Sequence, residues 1–171
     1  SKRDIRVNRN DYVVLALPPV ATSNLLPWIT VPLSSSAIIN AHYLQEKPVI
    51  LPGKGPLLGI IGGISQWLFT SGNLVSVTVS GANNLLGHTT NELSRLLWKE
   101  VSSTIGASFH KIPPHQIIKE QRATFAQTPA EMLRRPSVDA SGIANLKLAG
   151  DWTDTGLPAT IESSIKSGYN A

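Results

Sequence analysis

The chain has no cysteine. That excludes disulfides, thiolate nucleophiles and Cys-ligated metal, and it suits a reducing compartment. Charge is also scarce. Only 15% of the 171 residues are Asp, Glu, Lys or Arg, while 42% are apolar. This is the balance of a globular domain, or of part of a larger one, and not of a disordered tail. The formal net charge is +4. Lys2, Arg3, Arg6 and Arg9 supply one basic group, and Arg134 with Arg135 a second. Neither is interleaved with aromatics, so nucleic acid is not an expected partner. A basic surface is compatible with peripheral contact to an anionic membrane, which charge alone does not establish.

Several other signatures are absent. The longest apolar stretch, Pro48 to Phe69, is broken by Lys54, by Pro52 and Pro56 and by a series of glycines. A spanning helix needs about 20 consecutive apolar residues, so none is expected. No apolar core follows Ser1-Lys2-Arg3-Asp4, so this start is not read as a signal peptide, and a cytoplasmic location is expected. No P-loop occurs, and Ser65 lacks the Gly-x-Ser-x-Gly setting of a nucleophile elbow. The four histidines, His42, His88, His110 and His115, show no metal-ligand spacing, so no metal is expected.

What is present reads as a mixed α/β chain. Val13–Leu17 is a continuous apolar run stopped by Pro18-Pro19, which suits a parallel strand buried on both faces. A chain that opens on such a strand has little of its own to cover it. Residues 20–36 read as connection with a short helix near Ser23–Trp28. Ala37–Leu44 reads as a strand, Lys47–Pro56 as a loop, and Leu57–Phe69 as one or two strands with Gly62-Gly63 at a bulge or close approach. Val75, Val77 and Val79 alternate with Ser76, Thr78 and Ser80, giving a half-buried strand after the turn at Ser71-Gly72-Asn73. Thr89 and Glu92 form a capping box. Leu93, Leu96, Leu97, Val101 and Ile105 follow at helical spacing, and Gly106 ends the helix. Gln116–Phe125 reads as a strand and Thr128–Arg135 as a short helix.

The carboxyl end carries the most chemistry. Asn145–Ala149 reads as a short strand ending in Gly150-Asp151. A helix follows, with Pro158 in its first turn and Leu157, Ile161, Ile165 and Tyr169 on one stripe. Small residues Ser164, Gly168 and Ala171 would let another backbone approach. The first turn leaves the N–H groups of Ala159, Thr160 and Ile161 free, which favours a phosphate or a partly anionic ring oxygen. Asp151 can accept hydrogen bonds from sugar hydroxyls. The same pattern is also that of an ordinary strand-to-helix corner capped by Asp151 or Thr155.

Leu148-Ala-Gly-Asp-Trp-Thr-Asp-Thr-Gly-Leu-Pro-Ala-Thr-Ile-Glu162 with Ser167-Gly168 resembles the carboxyl-terminal FAD-binding motif of the flavin amine oxidase and carotenoid desaturase superfamily. Within it, the chain is most similar to the bacterial squalene-associated desaturases, or hydroxysqualene dehydroxylases. Asp11–Pro19, Leu57–Phe69 and Lys119–Pro129 resemble further segments of that group in the same order. The resemblance implies FAD as cofactor and a long isoprenoid as substrate, with hydroxysqualene reduced to squalene as the expected reaction. A carotenoid desaturase or an amine oxidase is the alternative among enzymes. An apolar-ligand or oligomerisation module is the alternative outside them, and the oligomeric state is open.

The resemblance also assigns places. Gly150, Asp151, Trp152, Thr155, Pro158, Ala159, Thr160 and Ile161 would bind the flavin. Asp151 would lie on the ribityl or phosphate side, and the N–H groups of Thr160 and Ile161 at the pyrimidine edge. Ala123–Thr128 would lie near the ring, and Gln66 and Trp67 would line the isoprenoid cavity. No catalytic residue is assigned. Residues 1–19 would be a strand segment of the FAD domain and 20–115 an inserted antiparallel-sheet substrate domain with a helix near 90–105. Residues 116–171 would return to the Rossmann-type FAD domain. Ser163-Ser164 stands where the family usually has Gly-Ala, which implies looser packing. The family's amino-terminal Gly-x-Gly-x-x-Gly is absent: Gly53-Lys54-Gly55 is followed by Gly59, one position late. The chain is therefore expected to be the second half of an enzyme, inactive without its FAD-binding first half.

Overall fold

The computed structural model describes residues 4–171. Of the basic residues named above, Lys2 and Arg3 lie outside them. In chain order the elements are β1 (Val13–Leu15), α1 (Pro19–Leu25), β2 (Ser35–Leu44), β3 (Leu57–Gly59), β4 (Trp67–Ser71), β5 (Leu74–Ser80), α2 (Thr90–Ile105), β6 (His115–Phe125), α3 (Pro129–Met132), β7 (Leu146–Leu148) and α4 (Ile161–Asn170). A single 3-10 turn, Ala82–Leu85, leads into α2. The fold is mixed α/β, with one parallel and one antiparallel sheet. The chain divides into two compact units. The middle unit is Ser36–Ala123, and the end unit joins the chain up to Ser35 with Thr124–Ala171.

The middle unit is a five-stranded sheet in the order β3-β4-β5-β2-β6, with α2 packed on one face. Leu44 N–H donates to Pro114, just before β6, and Ala126 N–H, just after β6, donates to Ser34. The chain ends therefore run opposite ways, and β6 is antiparallel to β2. The β4–β5 hairpin turns on Gly72-Asn73, and Gly72 takes φ 60° at the first turn position. A side chain there would be strained, and a two-residue turn that starts on glycine matches the twist of the strands. Strand alternation sorts the residues. Leu68, Val75, Val77, Val79, Ile39, Ala41 and Tyr43 face α2 and are buried. Helix α2 answers with Leu93, Leu97, Trp98 and Val101, each contributing roughly 1.5–3 kcal/mol by leaving water.

Both ends of α2 are set by local chemistry. Glu92 N–H donates to Thr89 Oγ1 at 3.2 Å, and Thr89 N–H donates to Glu92 Oε2 at 2.7 Å. At the other end Gly106 takes φ 69°, and Ala107 N–H closes on the Ser102 carbonyl. Inside the core Tyr43 donates to the Ser94 carbonyl at 2.8 Å, and burial pushes its phenol pKa up.

The end unit has a smaller core, built from Leu26, Ile29, Val31, Phe125, Leu148 and Trp152. Strands β1 and β7 pair in parallel, Val13 with Leu146 and Leu15 with Leu148. The parallel pairing matches the sequence expectation, but the burial does not. Val14 is 49% exposed and Val13 36%. No layer among the described residues covers both faces of this two-stranded sheet, although a parallel sheet ordinarily needs two such layers.

Helix α4 also departs from its sequence pattern. It starts at Ile161 with Thr160 as N-cap, so Leu157 and Pro158 precede it and do not form its first turn. Its apolar stripe faces outward, with Ile161 78% and Tyr169 87% exposed. The buried face is Ser163 and Ser167, and not Ser164, Gly168 and Ala171. Hydrogen bonds, and not apolar contact, choose this face.

Candidate functional site

Beyond β7 the chain turns at Gly150, which takes φ 146°. A Cβ there would fall 2.4 Å from Trp152 Nε1, so the turn and the packing of Trp152 both require glycine. Gly150 N–H donates to Ser167 Oγ at 2.8 Å. Trp152 is buried in the core of the end unit and donates from Nε1 to the Leu17 carbonyl at 3.0 Å. Thr155 is buried too, with its hydroxyl 2.6 Å from Ser163 Oγ. Ser163 Oγ also donates to the Asp151 carbonyl. The Ser163 position is therefore fully buried and hydrogen-bonded on two sides. The looser packing expected there is corrected: the serine hydroxyl fills the position with bonds that Gly or Ala could not make.

One residue that organises this turn was not assigned a site role from the sequence. Arg135 was grouped with Arg134 as surface charge, but it is buried. Its Nη1 donates to the Leu157 carbonyl at 2.8 Å, and its Nη2 donates to the Asp151 carbonyl at 3.0 Å and to Thr155 Oγ1 at 3.1 Å. The guanidinium also stacks over Phe125, 5.3 Å from the ring centre. A planar fork can serve several acceptors at once, which a lysine ammonium cannot do in the same geometry. The adjacent Arg134-Arg135 in the sequence gives no sign of which arginine turns inward.

The Asp151 carboxyl lies at the carboxyl end of β7, half-buried. Burial pushes its pKa up, and backbone N–H groups and Arg135 pull it back in part. The turn from Gly156 to Ile161 is more open. Ala159 N–H donates to Gln127 Oε1 at 3.2 Å, so it is not free as the sequence implied. Thr160 uses its side chain to accept from Ser163 N–H. The backbone N–H groups of Thr160 and Ile161 have no acceptor among the described residues. Pro158 is exposed beside them. Gly150, Asp151, Trp152, Thr155, Pro158, Ala159, Thr160 and Ile161 therefore form one continuous turn. Its inner members hold it in shape, and Asp151, Thr160 and Ile161 keep polar groups available. These groups fit a ligand with sugar-like hydroxyls and a hydrogen-bond-accepting ring edge.

Gln66 and Trp67 lie in the middle unit. The Gln66 side-chain amide makes two bonds with the Ser80 backbone, both at 3.1 Å, and so extends the sheet ladder. Trp67 lies on the sheet face away from α2, 46% exposed. Among the described residues no three His, Asp or Glu side chains come together as a metal site. No helix among them is long and apolar enough to cross a membrane.

A family model described as flavin containing amine oxidoreductase matches residues 2–171. A hydroxysqualene dehydroxylase of Sinorhizobium fredii is 44% identical over 167 residues, covering 98% of this chain and 39% of that protein. One of Rhodopseudomonas palustris is 44% identical with the same coverage. The chain thus spans 39% of the length of these curated relatives. Among solved structures, cyclohexylamine oxidase from Brevibacterium oxydans is similar with a TM-score of 0.52 at 13% identity, covering 92% of this chain and 40% of that one. That likeness concerns the fold alone.

Proposed function

Because the chain belongs to the flavin containing amine oxidoreductase family, we propose that it is the carboxyl-terminal part of an FAD-dependent enzyme acting on a long isoprenoid. The substrate we infer is hydroxysqualene, which the enzyme would convert to squalene. In this reading the end unit is the carboxyl-terminal portion of a Rossmann-type FAD domain, and the middle unit is the substrate domain. The first half of the nucleotide site would lie in the rest of the longer protein.

The observation that carries the cofactor reading is the open turn after β7, where the N–H groups of Thr160 and Ile161 lack acceptors beside the capped start of α4. When bound, the flavin supplies hydride transfer. The chain's own residues do the rest. Thr160 and Ile161 donate to the pyrimidine edge, where negative charge on the ring oxygens is favoured by the helix start. Asp151 accepts from the ribityl hydroxyls. Gly150 lets Trp152 pack beneath the turn, and Arg135 locks the carbonyls of Asp151 and Leu157, so the two donors are held in place before the cofactor arrives.

The test is the flavin absorption spectrum of the longer protein as purified. The expected result is co-purified FAD, with retention falling at least about tenfold in Asp151→Ala, as the loss of a charge-assisted hydrogen bond implies. A longer protein that carries no flavin would overturn the reading.

A further inference from the structure

The sheet of the middle unit has one face under α2 and one face open, and the open face is not uniformly polar. Pairing places Leu57, Phe69, Ser76 and His42 in one row across four strands, and Gly59, Trp67, Thr78 and Asn40 in the next. The β3–β4 side of this face is apolar, with Phe69 42% exposed beside Trp67 and Leu57. On the β5–β2 side these two rows carry hydrogen-bonding groups, and the Leu44–Leu74 pair bounds them at one end. His42 Nδ1 lies 2.8 Å from Ser76 Oγ, and Thr78 Oγ1 donates to Asn40 Oδ1 at 2.8 Å. Ile117 packs against the core, so by alternation Ile118 of β6 returns to the open face as a further apolar side chain.

Resting on the reading of the middle unit as the isoprenoid-binding part, we propose that His42 and Ser76 form the subsite that recognises the hydroxyl group of an isoprenoid alcohol, while Trp67, Phe69 and Leu57 carry its hydrocarbon chain. Ser76 holds Nδ1 and so fixes the imidazole plane, and Nε2 has no partner among the described residues. If the serine donates to Nδ1, Nε2 carries the hydrogen and donates to the ligand oxygen. If Nδ1 donates to the serine, Nε2 accepts the ligand O–H. A hydroxyl satisfies either tautomer because it both donates and accepts. No Lys or Arg stands in either row across β3, β4, β5 and β2, and alternation from Ile118 sets Glu120 as well as Arg122 on the same face of β6, so the His42–Ser76 pair is not built for a diphosphate or a carboxylate. A hydrocarbon with a single hydroxyl matches an apolar floor beside one hydrogen-bonding lane. The same hydrocarbon without the hydroxyl leaves Nε2 unpaired under the chain, which opposes its binding.

The experiment compares binding of hydroxysqualene and of squalene to the full-length, FAD-loaded protein with its flavin oxidised, by titration calorimetry in detergent. The parent is expected to bind the alcohol about tenfold more tightly than the hydrocarbon. His42→Phe is expected to bring the ratio close to one by weakening alcohol binding and by raising squalene affinity, since no Nε2 is then left unpaired, and His42→Gln, which keeps a hydrogen-bonding group, to restore part of the ratio. Ser76→Ala, a small change at a half-buried position, is expected to reduce the ratio less than His42→Phe. Two results would overturn the proposal separately. If the parent binds both ligands and His42→Phe keeps the full preference, the hydroxyl subsite is wrong and the isoprenoid reading stands. If the parent retains FAD but binds neither ligand, the isoprenoid reading falls, and the subsite with it.

Discussion

Asp151 carries a carboxyl whose charged form opposes folding, at the position proposed above to meet the ribityl hydroxyls. Its carboxyl has a folded-state pKa above the ordinary 3.8, because burial disfavours the charged form. The folded chain therefore holds that proton more tightly than the unfolded chain. The neutral group's contribution to stability is fully present below about 3.8 and is lost as pH rises through the folded value. Asp151→Asn removes the charge and keeps the shape. Melting curves should show the variant and the parent close together near pH 3, and the variant more stable at pH 7. The group is partly exposed, so the gain is small, on the order of 2 °C. A variant less stable than the parent at pH 7 would mean that the charged carboxylate makes a stabilising contact. Arg135 is the counterpart. Its charge is buried, but its Nη donors are matched to acceptors on the turn.

At the scale of elements, the connection between β3 and β4 depends on a helix outside it. Glu100 of α2 accepts from Ile64 N–H at 2.9 Å and from Ser65 N–H at 2.7 Å. Burial pushes the Glu100 carboxyl up, but these two N–H groups, together with the Ser65 side chain and the Lys99 charge, outweigh it, and the pKa lies below the ordinary 4.5. Its stabilising effect is present above about 4.5 and is lost as pH falls through the folded value. The connection crosses the helix so closely that a Cβ at Gly63 would lie 3.1 Å from the Glu100 carboxylate. The glycine pair was legible as a close approach, but what it approaches was not. Glu100→Ala should speed amide exchange at Ile64 and Ser65 by about tenfold or more, while amides in the middle of α2, such as that of Leu97, keep their protection. Equal acceleration in both places would mean that Glu100 supports the whole unit and not only this loop.

For the whole molecule, the end unit leaves apolar surface unused, as the open sheet face of the middle unit does. Ile161, Ile165 and Tyr169 of α4 point outward, and the two-stranded parallel sheet is uncovered at Val13 and Val14. The longer protein proposed above gives this surface a natural cover. Ile165→Glu distinguishes the cases. In the 171-residue chain the side chain is solvated, so the substitution should change stability by no more than about 0.5 kcal/mol. In the longer protein it should bury a charge, lower Tm by several degrees and release flavin. Equal, small effects in both would show that the stripe faces solvent throughout.

Features that depend on neighbours along the chain were readable from the residues alone. Thr89 and Glu92 meet because they stand three positions apart, Val75, Val77 and Val79 share a face because strands alternate, and Gly106 ends α2 because it can adopt positive φ. The motif from Leu148 to Glu162 was legible for the same reason. Which face of α4 is buried, which of Arg134 and Arg135 turns inward, and that β1 stays open among the described residues were set by packing in three dimensions. Periodicity locates an apolar stripe without saying what meets it. Here Ser163 and Ser167 found hydroxyl and backbone partners on the Gly150–Thr155 turn, 8 to 17 residues back along the chain, and those directed bonds set the orientation of the helix that the hydrophobic pattern alone would have reversed.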